Sequence, residues 1–483
     1  MGAGRGFRAL RSGRFRTRVA LARNSNSGRS AVERALESAE ELVSIGERAV
    51  RVAVAAGAEE AEAFLTRAAG ISVDIEGGFV RYPFSSRGSG IALRVVKGRR
   101  PGFAYCTRER FLRRTAERAL DIARIERRIA IRFPDPAPLP RPPGIWDDRV
   151  PVLTGEDVVR LCAEMMGEAR RVHRDIRVTG GGVDVLWSLS AVVNSRGVAV
   201  VERGTLVSGG LQVSLRGAVE STGFEYMSSR SLDIDFGRIG RLAAELALRG
   251  RNPVRAETRK TTVLLMPEAA ASLLSHITIP SLHGESVRRG ESFYSGRVGE
   301  RVAAQSLSII DDGLLAGGLA SSGADDEGVP SRRRALIDRG VLRGFVFDLR
   351  SAAEVGGEST GNGLRPSYRV PPVTAARNVI VEGRARHPEA LISQIGDGVM
   401  VHELLGAHTA SAHSGDFSVT APVLFRIKRG ELGPALKPVM LSGNLPALLT
   451  RVTGVGTDVR QVPAGLASIV TGTVGLEGVM MTA

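Results

Sequence analysis

The sequence has few cysteines and no long apolar run, and these absences exclude several classes of protein. Among its 483 residues only Cys106 and Cys162 are cysteines, too few for a disulfide scaffold or for a zinc site built from cysteines. This scarcity favours a reducing compartment, so we expect a cytoplasmic protein. No stretch approaches ~18 consecutive apolar residues, and the sequence therefore predicts no membrane-spanning helix and no membrane partner.

Several catalytic signatures are missing as well. The sequence has no GxxxxGK run followed by Ser or Thr, and no GxGxxG run that opens a helix after a strand. Its GxSxG run at 357–361 is not flanked by a predicted strand and a predicted helix, so the sequence predicts no nucleophile elbow. These absences argue against nucleotide-dependent chemistry and against α/β-hydrolase chemistry.

The composition is that of a globular protein with an unevenly placed positive charge. Hydrophobic residues make up 43% and charged residues 24%, which supplies enough apolar material for the cores of two or three domains. Eight arginines and no acidic residue lie within residues 1–30, namely Arg5, Arg8, Arg11, Arg14, Arg16, Arg18, Arg23 and Arg29. Removing these eight charges from the net +15 leaves +7 for the rest of the chain, so the basic signal belongs to the tail.

Residues 1–30 are interpreted as a disordered basic tail or a misassigned start. An Arg-rich tail of this kind also fits phosphate binding to a nucleic acid or a targeting segment. We expect no nucleic-acid partner for the folded part, which Ser30 and Glu33 introduce with a capping box.

Residues 31–250 predict an α+β domain with an antiparallel sheet and flanking helices. The hydrophobic pattern has helical spacing in some segments and a period of two in others. The predicted helices are 32–56, 108–125, 154–173 and 235–248, and the predicted strands include 71–75, 91–96 and several within 183–230 with a hairpin at 194–197. Six prolines within residues 133–144 predict a loop.

The polar stretch 249–260 marks the predicted domain boundary, and residues 260–483 predict a mainly β domain, barrel-like or sandwich-like. Glycine and short apolar runs dominate this second half. One helix is predicted at 267–275, with Pro267 in its first turn.

Six of the seven histidines follow residue 275, which raises the question of a metal site. His402 and Glu403 precede His408 by six and five positions, whereas zinc-protease helices place two histidines one turn apart. A loop that brings together His402, His408 and His413, with Glu403 or Asp416 nearby, stays an alternative. We favour surface or loop histidines with structural hydrogen bonds. His276 and His283 do not form a helical pair, because Pro280 lies between them.

Many short segments, in order along the chain, resemble the TldD/PmbA family, also called TldD/TldE. They include a Ser-Gly-Arg-Val-Gly-Glu run at 295–300 and an Asp-Asp-Glu-Gly-Val-Pro run at 325–330. The remaining segments are 76–77, 87–95, 102–105, 311–313, 359–363, 408–409, 414–418 and 442–444. Each is weak alone, but together they cover nearly all of residues 32–483. The resemblance implies a zinc peptidase made of a catalytic subunit and a related non-catalytic one, in a family with a historical link to DNA gyrase.

Departures from the family pattern decide which subunit the chain resembles. Catalytic members carry HExxxH before the Ser-Gly-x-x-Gly-Glu motif, and a cysteine ligand near the C-terminus. Counting back from Gly296 places the histidine positions of that motif on Ser275 and Pro280, and its glutamate on His276. No cysteine follows Cys162. The chain therefore resembles the TldE/PmbA-type subunit, with no catalytic or metal-binding residue of its own.

Two other family segments have alternative interpretations. For Asp325, Asp326 and Glu327 we expect a solvated acidic turn, and a charged rim at a subunit contact is the alternative. The C-terminal loop motif is expected either to shape a peptide channel or subunit interface or to be purely structural. Its residues are His408, Thr409, Ser414, Gly415, Asp416 and Phe417.

The resemblance implies a non-catalytic subunit of a zinc metallopeptidase that processes unfolded or extended peptides. It implies no cofactor in this chain, zinc in a TldD-like catalytic partner, and assembly with that partner or with itself. Three alternatives remain: a self-sufficient metallopeptidase that uses His402, Glu403 and His408, a non-enzymatic peptide-binding homo-oligomer, and a nucleic-acid-associated modulator that depends on the tail.

Overall fold

The computed structural model describes residues 31–216 and 220–483. The basic tail predicted at residues 1–30 and the capping box predicted at Ser30 lie outside these residues. Within the described part of the chain, no helix is both long enough and apolar enough to cross a membrane.

The N-terminal half is built on a seven-stranded antiparallel sheet that carries four helices. Its strands are β1 Glu60–Glu76, β2 Phe79–Val80, β3 Phe84–Lys97, β4 Arg100–Cys106, β5 Ile176–Asn194, β6 Ala199–Leu215 and β7 Ser221–Ser229. Its helices are α1 Ala31–Ala55, α2 Leu112–Ile125, α3 Gly155–Val172 and α4 Phe236–Arg249. The strand order is β4-β3-β1-β5-β6-β7, and β2 pairs with β1. The long central strands follow from the period-two pattern of their sequences.

All four helices pack against the same face of this sheet. Along β1 the odd-numbered residues point to that face, where Ala63 and Leu65 join the α1–α2 core and Val73 and Ile75 join the α3–α4 core. Their even-numbered neighbours Glu62 and Phe64 point to the opposite face, as the alternation of a strand requires. Near Glu62 and Phe64 the opposite face packs against the C-terminal half, where Arg365 pairs with Glu62 and Tyr368 packs against the cluster that contains Phe64.

The C-terminal half contains three more sheets and six short helices. The helices are α5 Pro267–Leu273, α6 Ile279–Ser281, α7 Gly284–Arg289, α8 Leu349–Val355, α9 Pro388–Gln394 and α10 Leu445–Leu449. The first strands are β8 Arg259–Leu265, β9 Ser308–Asp312, β10 Arg333–Asp338, β11 Val341–Leu342, β12 Gly363–Leu364, β13 Val373–Thr374, β14 Asn378–Glu382, β15 Ala385–Arg386 and β16 Asp397–Val401. The last strands are β17 Asp416–Ala421, β18 Leu424–Lys428, β19 Glu431–Ala435, β20 Val439–Asn444, β21 Val452–Gly456, β22 Arg460–Ala464, β23 Ala467–Thr471 and β24 Val474–Thr482.

The two larger C-terminal sheets share one hydrophobic core. One sheet has the order β11-β10-β9-β14-β23-β22, and the other has β15-β21-β24-β8-β16-β18-β19 with β17 and β20 joined to β24. Val263 of β8, Ile309 of β9 and Ile469 of β23 all lie in this core together with α5. Two sheets that bury their inner faces against each other form a sandwich-like layer pair.

The predicted α+β class is confirmed, and so are the helices and the hairpin at 194–197 predicted for the N-terminal half. Residues 133–144 form neither helix nor strand, because proline cannot donate to a ladder or to a helical turn. The division into domains at 31–250 and 260–483 stays a prediction.

The helix predicted at 267–275 is longer than expected. After α5 the chain continues through a π-helical segment, Leu274–Thr278, and then through α6 to Ser281. Pro280 lies at the start of α6, where its missing N–H costs little. The helical chain ends before His283, so His276 and His283 do not share a helix face.

Candidate functional site

A cavity of about 500 Å³ lies between the N-terminal sheet and the C-terminal half. It is bordered by β7, by the α5 and π-helical segment, by the loop after β16 and by the end of β22. Its lining residues are Phe224, Glu225, Tyr226, Glu268, Ala271, Ser272, Ser275, His276, His402, Glu403, Leu404, Val462, Pro463, Ala464 and Gly465. The cavity thus brings together residues that are far apart in the sequence.

One wall of the cavity carries an ion-pair cluster. Arg460 donates to Glu225, and its Nη1 lies 2.7 Å from Oε1 of Glu268. Burial raises the pKa of Glu268, although Arg460 opposes the shift. Burial also raises the pKa of the Tyr226 hydroxyl, so this group is a neutral hydrogen-bonding phenol at physiological pH.

His402 and Glu403 also line the cavity, and the charges of Glu225 and Arg460 act on His402. Burial lowers the pKa of His402, so its imidazole is neutral near pH 7. Burial raises the pKa of Glu403, and no nearby charge offsets that shift. A neutral imidazole and a weakly acidic carboxyl group can bind polar groups of a peptide by hydrogen bonds.

The residues at the lost zinc-motif positions do not fit a zinc site. Ser275 Oγ donates to the carbonyl oxygen of Ser272 at 3.1 Å, and the same oxygen lies 2.8 Å from Nδ1 of His276. Pro280 has no side-chain donor atom. Among residues 31–216 and 220–483, no three His, Cys, Asp or Glu side chains gather closely enough to hold a metal ion. A tetrahedral zinc site needs at least three such protein ligands.

The π-helical segment coincides with these positions. It runs from Leu274 to Thr278 and therefore includes Ser275 and His276. A π-helical turn changes which side chains project to one side of a helix, and such turns are frequent at functional sites. Here it directs Ser275 and His276 towards the cavity rather than into the core.

The alternative histidine site is only partly assembled. His402 and Glu403 line the cavity, whereas His408 is exposed on the 3₁₀ turn Ala407–Thr409. His413 is also exposed, and it does not line the cavity. The structure therefore separates the histidines that the sequence left as possible joint ligands.

The C-terminal loop motif lies outside the cavity, and several of its residues stabilise the loop itself. Ser414 Oγ donates to Oδ2 of Asp416 at 2.7 Å. Nδ2 of Asn444 donates to the Ser414 carbonyl oxygen at 2.8 Å and to Oδ1 of Asp416 at 2.9 Å. Phe417 is buried in the shared core of the C-terminal sheets. Thr409 is exposed, so the outward side of this loop remains available for an interface.

Gly415 in this loop has a backbone conformation that other residues rarely adopt. Its φ is +82°, and an added Cβ would lie 2.3 Å from Cδ of Pro446. We expect Gly415→Ala to lower the free energy of unfolding by about 2–4 kcal/mol, because left-handed strain and overpacking add. Gly406→Ala is the matched control, since φ is +87° there and a Cβ would meet nothing within 4 Å. Urea unfolding of both variants measures the difference, and equal losses would contradict this explanation.

Comparison with known proteins identifies the family. A model described as PmbA/TldA metallopeptidase domain 1 matches residues 61–123, the corresponding central-domain model matches 149–251, and the C-terminal-domain model matches 258–483. The chain belongs to the TldD/PmbA metallopeptidase family. This confirms the resemblance that the sequence motifs indicated.

Individual relatives agree with this assignment. Metalloprotease PmbA of Escherichia coli O157:H7 is 26% identical, over 83% of this chain and 88% of that protein. A metalloprotease of Methanothermobacter thermautotrophicus is 25% identical, over 78% of this chain and 83% of that protein.

Two solved structures have the same fold as this chain. TldE from Thermococcus kodakarensis superimposes with a TM-score of 0.84 at 26% identity, over 92% of this chain and 99% of that one. A Thermotoga maritima protein, named as a proposed modulator of a DNA gyrase, has a TM-score of 0.83 at 23% identity, over 91% of this chain and 99% of that one. The second likeness concerns the fold alone.

The expectation of a solvated acidic turn in this TldD/PmbA family member is wrong. Asp325, Asp326 and Glu327 are each 0% exposed. Oδ1 of Asp325 accepts from the amides of Glu327 and Val329. Glu327 accepts from Arg94 Nη1 at 2.6 Å. The segment is buried because it meets arginines from distant parts of the chain.

These acidic residues belong to a buried network that joins the two halves of the protein. Glu62 of β1 accepts from Arg94 of β3 at 2.6 Å and also from Arg365 of the C-terminal half. Burial raises the pKa of Glu327, although Arg94 opposes the shift, and burial lowers the pKa of Arg365 to about 10. Glu62 and Arg94 are direct cross-strand neighbours. Opposite charges on directly paired strands stabilise each other, but no strand was predicted at Glu62 from the sequence, which therefore did not reveal this pair.

Proposed function

We propose that the chain is a non-catalytic subunit, of the TldE/PmbA type, in a zinc metallopeptidase that processes unfolded or extended peptides. A TldD-like partner would hold the zinc, and this chain would supply part of the peptide chamber. The TldE structure from Thermococcus kodakarensis supports the subunit type by its similarity over almost its whole length.

The observation that carries the proposal is the lack of metal-ligating side chains at the cavity, among the described residues. Ser275 and His276 stand where catalytic relatives are expected to have a histidine and a glutamate, and the sequence has Pro280 at the second histidine position. Among the described residues, no trio of metal-ligating side chains forms there. This chain therefore has a cavity that lacks the ligands for a metal ion. Such a cavity fits a subunit that forms one wall of a chamber shared with a partner.

The strands around the cavity support extended peptides as its ligands. β7 and β22 are both terminal strands of their sheets, and both border the cavity. Terminal strands keep unpaired N–H and C=O groups, which bind an extended peptide through its main chain and with weak sequence preference. Glu403 and His402 add polar groups for the peptide.

We also propose a cytoplasmic location. Cys106 and Cys162 are both buried free thiols, and burial raises the pKa of the Cys162 thiol to about 12. Such thiols persist without protection in a reducing compartment.

The test compares the purified chain alone with a mixture of the chain and a family member that carries HExxxH from the same organism. We expect no casein or peptide hydrolysis by the chain alone and chelator-sensitive hydrolysis by the mixture. A mixture with the partner's motif glutamate replaced by glutamine is the control, and it is expected to be inactive. Hydrolysis by this chain alone that disappears in His402→Ala would contradict the proposal and support the self-sufficient alternative.

A further inference from the structure

Part of strand β3 has no neighbouring strand on one side. β3 pairs with β1 from Phe84 to Val96, but it pairs with β4 only from Ile91 onwards. Within the described residues, 84–90 therefore form an open sheet edge; residues 84–89 are exposed, and Gly90 at the inner end is buried. An open edge of this length is a template for pairing with another chain.

The direction of the main-chain groups along this edge follows from one hydrogen bond. The amide of Glu59 donates to the carbonyl oxygen of Val96, so Val96 turns its main-chain groups towards β1. The β1–β3 register has no shift, and the direction alternates along an antiparallel strand. The N–H and C=O groups of Ser85, Arg87 and Ser89 consequently point outwards.

The edge lacks several features that usually block strand pairing. Residues 84–90 contain no proline and no acidic residue, and Arg87 is their one charged side chain. At Gly88 an added Cβ would meet nothing within 4 Å. The open part ends at Gly90, where the ring of Tyr368 packs against the backbone.

Three exposed aromatic residues continue this edge at the tip of the hairpin. Phe79 is 74% exposed, Tyr82 is 96% exposed and Phe84 is 68% exposed. Large aromatic side chains are enriched at the centres of protein interfaces. Exposed aromatic side chains next to an open strand indicate a protein-binding surface.

The positive charge of Arg87 limits which chain can pair with this edge. Among the described residues Arg87 has no ion-pair partner, and the Arg-rich segment 1–30, which has no acidic residue, would be repelled by it. A second copy that pairs antiparallel over all of residues 84–90 would place Arg87 opposite Arg87, which is unfavourable. A strand from a different chain, neutral or acidic opposite Arg87, avoids both conflicts.

We propose that the β3 edge, residues 84–90 with Phe79 and Tyr82, binds a strand of the catalytic sister subunit and extends the N-terminal sheet into it. This inference rests on the proposed function, because it names that partner. It places the subunit contact on the N-terminal sheet, away from the cavity.

Amide hydrogen exchange on the full-length chain tests this inference without a mutation. In the free chain we expect fast exchange at Ser85, Arg87 and Ser89, and slow exchange at Ser86 and Gly88, whose amides face β1. Adding the HExxxH-bearing chain should slow the first three by roughly 100-fold or more as they become hydrogen-bonded. Unchanged exchange in a formed complex would overturn the inference.

A pair of double variants provides a second test. Ser85→Pro with Ser89→Pro removes two outward donors and leaves the β1-facing amides in place, whereas Ser85→Thr with Ser89→Thr keeps every donor. We expect the proline variant to bind the HExxxH-bearing chain roughly 30- to 150-fold more weakly than the threonine variant, as two lost hydrogen bonds imply. Equal binding by two folded variants would overturn the interface. If the wild-type chain binds no HExxxH-bearing chain, the proposed function and the proposed interface both fail. If an active complex forms but its edge amides still exchange fast, the interface is overturned and the proposed function stands.

Discussion

Glu62→Gln is expected to lower the free energy of unfolding by about 3–5 kcal/mol, since removing one partner of a buried ion pair leaves the other charge unbalanced. Glu62 is 0% exposed and accepts from both Arg94 and Arg365. Arg94 keeps Glu327 as a partner, but Arg365 loses the ion pair with Glu62. Urea unfolding of the full-length chain measures the loss.

Glu109→Gln is the matched control for this prediction. Glu109 pairs with Arg48 on the surface, and both side chains are more than 40% exposed, at 42% and 44%. Exposed pairs contribute up to about 1 kcal/mol, so we expect a small change. A similar loss in both variants would show that the buried network does not hold the two halves together as described.

Stability is expected to fall by up to about 3 kcal/mol between pH 6.5 and pH 4 because of His283. Burial lowers the pKa of His283 to about 4, with the Asp348 carboxylate opposing the shift. Over this pH range the unfolded chain binds a proton at His283 and the folded chain does not. The stability from this group is therefore fully present above pH 6.5 and is lost as the pH falls towards 4.

His283→Gln should remove this contribution, so that the free energy of unfolding depends less on pH. The Nε2 atom of His283 accepts from the amide of Ala376 at 3.4 Å, and the glutamine oxygen can accept in its place. His387→Gln is the control, because the His387 side chain is 72% exposed. Urea unfolding between pH 4 and pH 7 gives the profiles. A wild-type profile that His283→Gln leaves unaltered would contradict the assignment.

The sequence predicted the helices and strands of the N-terminal half well, because each is amphipathic over many residues. Helix α3 shows why, since Thr154 and Asp157 form its capping box and Val158, Cys162 and Met165 form its buried face. All of these features are local. The π-helical segment at Leu274–Thr278 could not be predicted, since its backbone depends on how Pro280 is accommodated.

The sequence predicted less of the candidate site. Ser275 and His276 were singled out by motif position, and both line the cavity. His402 and His408 are close in the sequence, but only His402 reaches it. The acidic segment at 325–327 was misjudged because three neighbouring acids usually indicate a solvated turn. Its partners Arg94 and Arg365 lie far away in the sequence, so only the tertiary structure reveals the burial.

The metal content of the assembled complex tests the central claim most directly. Native mass spectrometry on the complex with the HExxxH-bearing chain reports the number of zinc ions and the subunit that holds them. We predict zinc in the partner only, unchanged when His276 and His402 of this chain are both replaced by alanine. Stoichiometric zinc in this chain alone, lost in His402→Ala, would contradict the account.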